Sequence, residues 1–281
     1  MSKKNLKIVS WNVNGIRACI KNGFWDWYDR SSADIVCLQE AKITDKDFQK
    51  IKDDHELTPL ISTEHTLFGS APAKRPCPIY YALACAEKPG YSGVLILSKT
   101  KPNKVEIGLG EEKFDREGRV VVAHYDNFIL FNCYFPNGGP ELKRIPYKME
   151  FNEFLLERLQ GYRKKQKNLI ITGDFNVAHT EIDIKNAKAN EGTSGFTQVE
   201  RDWFTKLLSH KYIDTFRKLN PDARDAYSWW SYRAGVRQRN IGWRIDYFVT
   251  TEDLLPDLTD ARVEMKQMGS DHCPVWIEMK A

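Results

Sequence analysis

The sequence lacks any segment that could cross a membrane. None of its apolar runs approaches the ~18 consecutive residues that a membrane-spanning helix needs. A strand-like run begins already at Leu6, which leaves no room for a signal peptide. We therefore expect an intracellular protein, cytoplasmic or associated with the nucleoid if its source is prokaryotic, with no membrane partner.

Paired cysteines, internal repeats and flexible linkers are also missing. The six cysteines form no CxxC pair, which argues against a structural zinc site and a thioredoxin-type motif. Cys37 and Cys133 lie inside apolar runs, as buried small hydrophobic residues do, so we expect free thiols in a reducing compartment. Without a repeat, a low-complexity tract or a Gly/Ser linker, residues 1–281 are predicted to form a single domain.

Acidic residues are absent from one aromatic segment of an otherwise balanced chain. The formal net charge is only +4. The segment 227–244 holds four arginines and no Asp or Glu, so it carries as much positive excess as the whole chain. It also contains Tyr227, Trp229, Trp230, Tyr232 and Trp243. Arginines interleaved with aromatic rings favour a polyanionic partner.

The chain does contain many short runs typical of β-strands covered on both faces. These runs are 6–12, 34–39, 93–98, 119–125, 128–134, 168–173, 244–250 and 274–279. Only Asp126-Asn127 separates two of them, which predicts a tight antiparallel hairpin. Helical periodicity covers 144–163, and Thr197 with Glu200 predicts a capping box that begins a helix over 197–209. Strands, helices and a hairpin together indicate a mixed sheet of the α/β or α+β class.

Polar side chains follow or flank most of these apolar runs. If the strands share a sheet, one edge gathers Glu40, Asp174, Asp246 and Asp271 with Asn12, Asn14, Asn137, Asn176, Tyr134 and His272. Taken singly, such residues are ordinary turn formers or helix caps, and a lone His is usually structural. Several carboxylates crowded together repel one another, which calls for a divalent cation or a raised pKa.

The type of ligand narrows the chemistry. Oxygen donors without a Cys or His cluster favour Mg²⁺ or Mn²⁺ over zinc. A few carboxylates around Mg²⁺, with a substrate phosphate completing its shell, are typical of phosphoryl chemistry. Hydrolysis of a phosphodiester further needs a base for the water and donors for the developing negative charge, and Asp, Asn, His and Tyr side chains are available for these tasks.

These motifs, in this order, resemble the exonuclease III family of apurinic/apyrimidinic (AP) endonucleases, within the endonuclease/exonuclease/phosphatase superfamily. The matching segments are SWNVNGIR at 10–17, LQE at 38–40, GYSG at 90–93, GR at 118–119, YFPN at 134–137, GDFNVA at 173–178, ID at 182–183, GFT at 195–197, DTFR at 214–217, NIGWRIDY at 240–247 and GSDHCP at 269–274. One such motif is weak evidence, but eleven in register are very specific.

The resemblance implies a four-layered α/β sandwich with two mixed β-sheets flanked by helices. It implies a monomeric, Mg²⁺-dependent nuclease, with Mn²⁺ as a substitute, that cuts duplex DNA 5′ to abasic sites and leaves a 3′-OH. Exonuclease activity in the 3′–5′ direction and cleaning of blocked 3′ ends are implied as well.

The resemblance also assigns the site residues. Mg²⁺ is expected on Glu40, helped by Asp271 and by Asn12 or Asn14, with Asp174 and Asn176 adjoining the ion. Asp174, oriented by Asn176, is expected to activate or position the water. Asp246 and His272 are expected to hold or protonate the phosphate, with contacts from Tyr134 and Asn12. The proton roles of Asp174, His272 and Tyr134 stay open at this point.

The aromatic segment receives a role from the same resemblance. Trp229, Trp243 and Ile245 are expected to wall a pocket for an extruded base-free sugar, whereas Trp230 is expected to be core. An abasic nucleotide has lost stacking and pairing, so its extrusion costs little. The resemblance predicts backbone or groove contacts for Arg233, Arg237, Arg239, Tyr91 and Asn137. The alternatives are that all the tryptophans are core and that the arginines lie on a solvated loop.

Two features depart from the family pattern. Asn14 replaces an Asp found in some members, and residues 70–89, with four prolines, form an insertion that we expect to be irregular. A phosphatase of inositol phosphates or a sphingomyelinase would share the catalytic edge, but would not need the tryptophan- and arginine-rich segment. A non-enzymatic binding protein would have no reason to keep the whole acid, amide and His set.

Overall fold

Thirteen strands and eight α-helices are formed by the described part of the chain. The computed structural model describes residues 5–60, 78–165 and 167–280. The strands are β1 (Leu6–Asn12), β2 (Ile35–Gln39), β3 (Leu57–Pro59), β4 (Ile79–Ala84), β5 (Val94–Ser98), β6 (Lys104–Ile107), β7 (Val120–His124), β8 (Ile129–Tyr134), β9 (Leu169–Asp174), β10 (Tyr212–Asp214), β11 (Asp246–Thr251), β12 (Leu258–Val263) and β13 (Val275–Met279). The helices are α1 (Ile16–Lys21), α2 (Phe24–Ser31), α3 (Asp45–Asp54), α4 (Glu112–Asp115), α5 (Ile145–Arg163), α6 (Ala187–Asn190), α7 (Gln198–Ser209) and α8 (Thr215–Leu219). None of the helices in the described ranges is long and apolar enough to cross a bilayer.

The strands form two mixed sheets. The first has the order β12-β13-β1-β2-β5-β4-β3 and the second β10-β11-β9-β8-β7-β6. Only β1–β2 and β3–β4 in the first sheet, and β8–β9 in the second, pair in parallel among the described strands. The remaining pairs are antiparallel.

The sheets stack face to face between two layers of helices. Inward-facing residues of both sheets, such as Ile96 and Leu130, share one apolar cluster. The outer face of the first sheet packs against α1, α2 and α3, and that of the second sheet packs against α5 and α7. Burial of apolar side chains on both faces of each sheet explains why many strands are continuous hydrophobic runs. The expected four-layered α/β sandwich is confirmed.

Most of the predicted elements are present within one or two residues of their expected ends. The hairpin joins β7 and β8, with Tyr125 N donating to Phe128 O across Asp126-Asn127. The capping box of Thr197 and Glu200 begins α7. The prediction of an irregular insertion was wrong for residues 79–84, which form β4 between β3 and β5. Its inward side chains alternate with partly exposed ones, and backbone pairing outweighs the neighbouring prolines; residues 70–77 lie outside the described residues.

Strand pairing brings the functional termini together. In the first sheet, Asn12 pairs with Gln39, so Glu40 follows at the same edge. In the second sheet, Asp174 pairs with Tyr134 on one side and with Asp246 on the other. Asn12 Nδ2 donates to Asp174 Oδ2 at 2.9 Å, which joins the two sheets at this edge.

Candidate active site

A pocket of about 470 Å³ opens at the edge where the two sheets meet. It is lined by Glu40, Tyr134, Asn137, Asp174, Asn176, Asn190, Thr193, Ser194, Gly195, Trp229, Trp243, Ile245, Asp271 and His272. Carboxylate, amide, phenol and imidazole groups thus share one cavity with two tryptophans. This convergence of polar groups and an aromatic wall is typical of a substrate site.

A buried imidazole–carboxylate pair lies beside the pocket. His272 Nδ1 and Asp246 Oδ2 are 2.9 Å apart, and both residues are buried. The other ring nitrogen, Nε2, lies 3.9 Å from Asp174 Oδ2. Burial alone would lower the pKa of His272, but the nearby carboxylates, Asp246 foremost, outweigh it and raise that pKa. The imidazole therefore carries a positive charge at neutral pH.

Asp174 is held by three amide donors. Asn12 Nδ2 and the backbone N of Asn176 donate to its two oxygens at 2.9 and 2.8 Å, and Asn176 Nδ2 adds a longer bond of 3.3 Å. Burial raises the pKa of Asp174, and the charges of Asp246 and Glu40 raise it further against the opposing effect of His272. A carboxyl group with a raised pKa at a fixed position suits proton transfer near neutral pH.

The backbone around Asp174 requires unusual conformations. Gly173 has φ +135°, and a Cβ there would lie 1.8 Å from Cys133 O, so no other residue fits between β8 and β9. Asn176 has φ +51°, in the left-handed region that Asn tolerates. These two positions turn the chain so that Asp174 and Asn176 both face the pocket.

Glu40 is bridged to Asp174 by the Asn12 amide and lies next to a lysine. Asn12 Nδ2 donates to Glu40 Oε1 at 2.9 Å, and Lys42 Nζ is 2.6 Å from Glu40 Oε2. The same ammonium contacts Asn14 Oδ1. Burial would raise the pKa of Glu40, but Lys42 and the Asn12 hydrogen bond lower it, so the carboxylate is ionised.

Tryptophans 229 and 243 form the apolar wall. Their rings meet edge to face, with centroids 5.8 Å apart, and pack on a small cluster that includes Ile245 and Phe196. Both are half-buried, whereas Trp230 is 2% exposed and donates from Nε1 to Asn240 Oδ1. Trp230 therefore lies in the core, and Trp229 and Trp243 line the pocket; their contact with an extruded sugar stays a prediction.

Comparisons with known proteins agree with this geometry. A sequence profile described as the Endonuclease/Exonuclease/phosphatase family matches residues 9–272. The exodeoxyribonuclease of Bacillus subtilis is 43% identical over 96% of this chain and 98% of its own length. The DNA repair nuclease APEX1 of Danio rerio is 41% identical over 96% of this chain and 81% of its own length. The chain belongs to the exonuclease III-type AP endonucleases of this family.

Solved structures support the same assignment. The AP endonuclease LMAP of Leishmania major superimposes with a TM-score of 0.81 at 28% identity, over 99% of this chain and 88% of that one. As a member of the exonuclease III type, the chain is a hydrolase of the nuclease class. Its catalytic edge therefore belongs to a phosphodiesterase.

The residues of this AP endonuclease family member fit a divalent cation. Among the described residues, ligand atoms of Glu40, Asp174 and His272 lie within 4.8 Å of one another. The two carboxylates supply oxygen donors, and the ammonium of Lys42 already lies against Glu40, where positive charge is stabilised. Asp271 lies outside this group. Its carboxylate accepts from Asn14 Nδ2 at 3.0 Å and from Trp229 Nε1 at 3.1 Å, so it orients the pocket wall.

The four arginines of the nuclease's segment 227–244 differ in exposure, and Arg244 is buried. Arg233 and Arg239 are exposed. Arg237 instead donates to the backbone carbonyls of Met265, Gln267 and Ser270 at 2.6–3.1 Å and lies over the Trp230 ring. Arg237 thus uses three of its five N–H groups within the fold, and its expected phosphate contact stays a prediction for the other two. It holds the loop that precedes Asp271.

Several functional groups of the nuclease were missed by the sequence reasoning. Arg119 is buried behind Tyr134, donates to Tyr134 O at 2.9 Å and reaches Tyr91 Oη at 2.8 Å. Arg144 also contacts Tyr91 Oη. The predicted DNA contact Tyr91 is thus fixed by two guanidinium groups. A Gly-Arg dipeptide marked Arg119, but nothing local distinguished it from a surface residue.

Asn137 and the loop 190–195 complete the rim. Asn137 is exposed and donates from Nδ2 to Asn176 Oδ1 at 3.0 Å, so it links the rim to the residue that orients Asp174. Loop residues Thr193, Ser194 and Gly195 line the pocket without having been predicted to do so. The GFT motif at 195–197 was the only sequence signal for this loop.

Proposed function

We propose that this nuclease hydrolyses the phosphodiester 5′ to abasic sites in duplex DNA and leaves a 3′-OH. The observation that carries the proposal is the arrangement of Asp174 and the His272–Asp246 pair beside a pocket walled by Trp229 and Trp243. The pocket of about 470 Å³ is closed on one side by aromatic rings. Rings at this position select by shape, and a sugar without its base fits where an intact nucleotide does not.

Asp174 is the proposed base for the attacking water. Its raised pKa favours acceptance of a proton near neutral pH, and the amides of Asn12 and Asn176 fix its two oxygens. The charged imidazole of His272, fixed by Asp246, donates from Nε2 to a phosphate oxygen. Tyr134 is a neutral phenol, because burial and the charges of Glu40 and Asp174 raise its pKa, and it donates to the same phosphate.

We propose Mg²⁺ as the cofactor, with Mn²⁺ as a substitute. Glu40 would hold the ion, helped by Asp271 and by Asn12 or Asn14, with Asp174 and Asn176 adjoining it. When bound there, the cation neutralises charge on the phosphate and on the leaving oxygen. Oxygen-rich ligands of this kind favour Mg²⁺ over zinc.

The exposed rim is the proposed DNA interface. Arg233 and Arg239 are exposed in the segment that carries Trp229 and Trp243, and Asn137 and Ile245 line the pocket. Tyr91, which is joined to Tyr134 through Arg119, is the remaining proposed contact. We propose that the protein acts as a monomeric single catalytic domain, and that it also removes blocked 3′ ends and degrades duplex DNA in the 3′–5′ direction. The relatives' names, exodeoxyribonuclease and DNA repair nuclease, support a substrate of this class.

One incubation tests the proposal. A labelled duplex with a single tetrahydrofuran abasic analogue is incubated with the protein in Mg²⁺ or in EDTA, and an intact duplex serves as the control. We expect Mg²⁺-dependent cleavage at the analogue and a fragment that a DNA polymerase extends from its 3′-OH. Release of phosphate from an inositol polyphosphate, without cleavage of either duplex, would assign the other branch of the family.

A further inference from the structure

A fully buried ion pair behind the pocket has no part in the proposed chemistry. Lys148 of α5 and Glu200 of α7 are both 0% exposed, and their Nζ and Oε1 atoms are 2.6 Å apart. Burial of two charges costs desolvation energy that well-packed apolar residues avoid. Apolar residues at these two positions could therefore join the helices equally well. What an apolar pair could not supply is the hydrogen bonds that Lys148 and Glu200 make to other residues.

The lysine reaches the residue that orients Asp174. Lys148 Nζ donates to Asn176 O at 2.7 Å. Asn176 has a left-handed backbone, and its own two NH groups donate to Asp174. A shift of the Asn176 peptide would therefore move the donors that fix the proposed base.

The glutamate holds the loop beneath the tryptophan wall. Glu200 Oε2 accepts from Gly195 N at 2.9 Å, from Thr197 N at 3.2 Å and from Thr197 Oγ1 at 2.6 Å. A Cβ at Gly195 would lie 3.1 Å from Trp243 Cζ3 and 3.2 Å from Asn176 O. The Gly195 backbone therefore packs directly against both the wall and the Asn176 peptide.

We propose that Lys148 and Glu200 form a positioning pair that sets the fit of the pocket to a base-free sugar. Through one buried ion pair, the Asn176 peptide and the Gly195–Trp243 wall are held at a fixed separation. The pair touches no reacting atom and acts through Asn176 and Gly195. This inference rests on the proposed abasic-site function and names the residues that determine its specificity.

The test replaces the pair by apolar residues of similar length, Lys148→Met with Glu200→Leu. Binding to the abasic-analogue duplex and to the intact duplex is measured in EDTA by fluorescence anisotropy, so that no cleavage occurs. We expect the ratio of the two Kd values to fall by about tenfold, since a small misfit in a pocket changes selectivity by about 10–200-fold. The single-turnover cleavage rate in Mg²⁺ should fall on the order of 10²-fold. The Tm should also fall, because Gly195 N, Thr197 N and Asn176 O lose their buried hydrogen-bond partners, so both measurements are made well below the Tm of the variant.

A matched control uses the exposed ion pair between the same two helices. Lys206 Nζ and Glu153 Oε2 are 2.7 Å apart on the outer surface of α7 and α5. The change Lys206→Met with Glu153→Leu should leave the Kd ratio, the cleavage rate and the Tm unchanged. An equal loss of selectivity in this control would mean that helix packing in general, and not the buried pair, sets the pocket.

A second variant keeps the proposal testable if the first does not fold. Lys148→Met with Glu200→Gln retains an acceptor for Gly195 and Thr197 and removes the bond to Asn176, so it should keep the Kd ratio and lose cleavage rate. The proposal is overturned if the folded Lys148→Met with Glu200→Leu variant keeps the wild-type cleavage rate and Kd ratio. It is also overturned if this second variant keeps the wild-type cleavage rate. Wild-type protein that binds both duplexes equally and cuts neither would instead overturn the proposed function.

Discussion

His272 and Asp246 should behave as one unit in a double-mutant cycle. The Nδ1–Oδ2 bond of 2.9 Å joins two side chains that are 4% and 1% exposed. The second oxygen of Asp246 has no hydrogen-bond partner among the described residues, so the imidazole is the main partner of this carboxylate. Asp246→Ala removes the charge that keeps His272 protonated, and His272→Ala leaves Asp246 with no partner. Either change therefore disables the same donor.

The expected loss of cleavage rate follows from that shared role. Each single change should lower the cleavage rate by roughly 10²–10⁴-fold, the range for acid–base and charge-stabilising groups. This loss corresponds to about 3–5 kcal/mol of transition-state stabilisation. The double variant should be little slower than the slower single one, which gives a coupling energy of similar size. The assay is single-turnover cleavage of the abasic duplex at saturating Mg²⁺, with thermal denaturation as the check of folding. If the two single losses in rate multiply, the double variant is slower by roughly 10⁴–10⁸-fold. That result would show that His272 and Asp246 act independently.

Three further predictions address the metal, the DNA interface and the fold. EDTA should abolish cleavage and Mg²⁺ should restore it. Glu40→Gln should raise the Mg²⁺ concentration needed for half the maximal rate. Unchanged turnover in EDTA would show that the reaction needs no divalent cation. Arg239→Ala should lower the slope of log K against log salt by about one, because a lost phosphate contact releases fewer counterions. Arg237→Ala should instead lower the Tm, because three hydrogen bonds to the loop before Asp271 are lost. A lower salt slope with an unchanged Tm would show that Arg237 contacts phosphate. Asp183 is buried, yet Arg244 and Arg217 lower its pKa, so its stabilising effect is present above about pH 4 and is lost as the pH falls below that value. Asp183→Asn should cost about 3–5 kcal/mol at pH 7 and flatten the acid limb of a stability–pH curve, and an unchanged limb would contradict the assignment.

The sheet edge that carries the candidate site could be predicted because its signals are local. Each polar residue stands directly beside an apolar run, and strands of one sheet end together. Asn12, Glu40, Asp174 and Asp246 therefore needed no long-range information beyond the assumption that the strands pair. The helix over 145–163 was equally readable, because its apolar face repeats at three- and four-residue steps.

Roles that depend on distant contacts could not be read in this way. Arg237 belongs to a basic, aromatic segment, but its partners are backbone carbonyls about thirty residues further along the chain. The strand β4 was missed because its pairing with β5 is tertiary, whereas the prolines on either side of it are visible in the sequence. Lys148 did leave a signal, since it stands on the apolar face of α5 three residues before Phe151. A charged residue at such a position requires a buried partner, although the sequence does not say which one.

The specificity of the pocket is tested most directly by the ratio of cleavage rates on abasic and on intact duplex. Trp243 walls the pocket, so Trp243→Ala should enlarge it, slow abasic cleavage and lower the ratio. Trp230→Ala is the control. Loss of this buried ring should cost about 3–5 kcal/mol of stability and leave the ratio of cleavage rates unchanged in the folded protein. We expect a high ratio for the wild type and a lower ratio for Trp243→Ala, at an unfolding midpoint close to the wild-type value. A ratio that stays intact in Trp243→Ala while the fold is destabilised would contradict it, since that tryptophan would then be core and would not read the missing base.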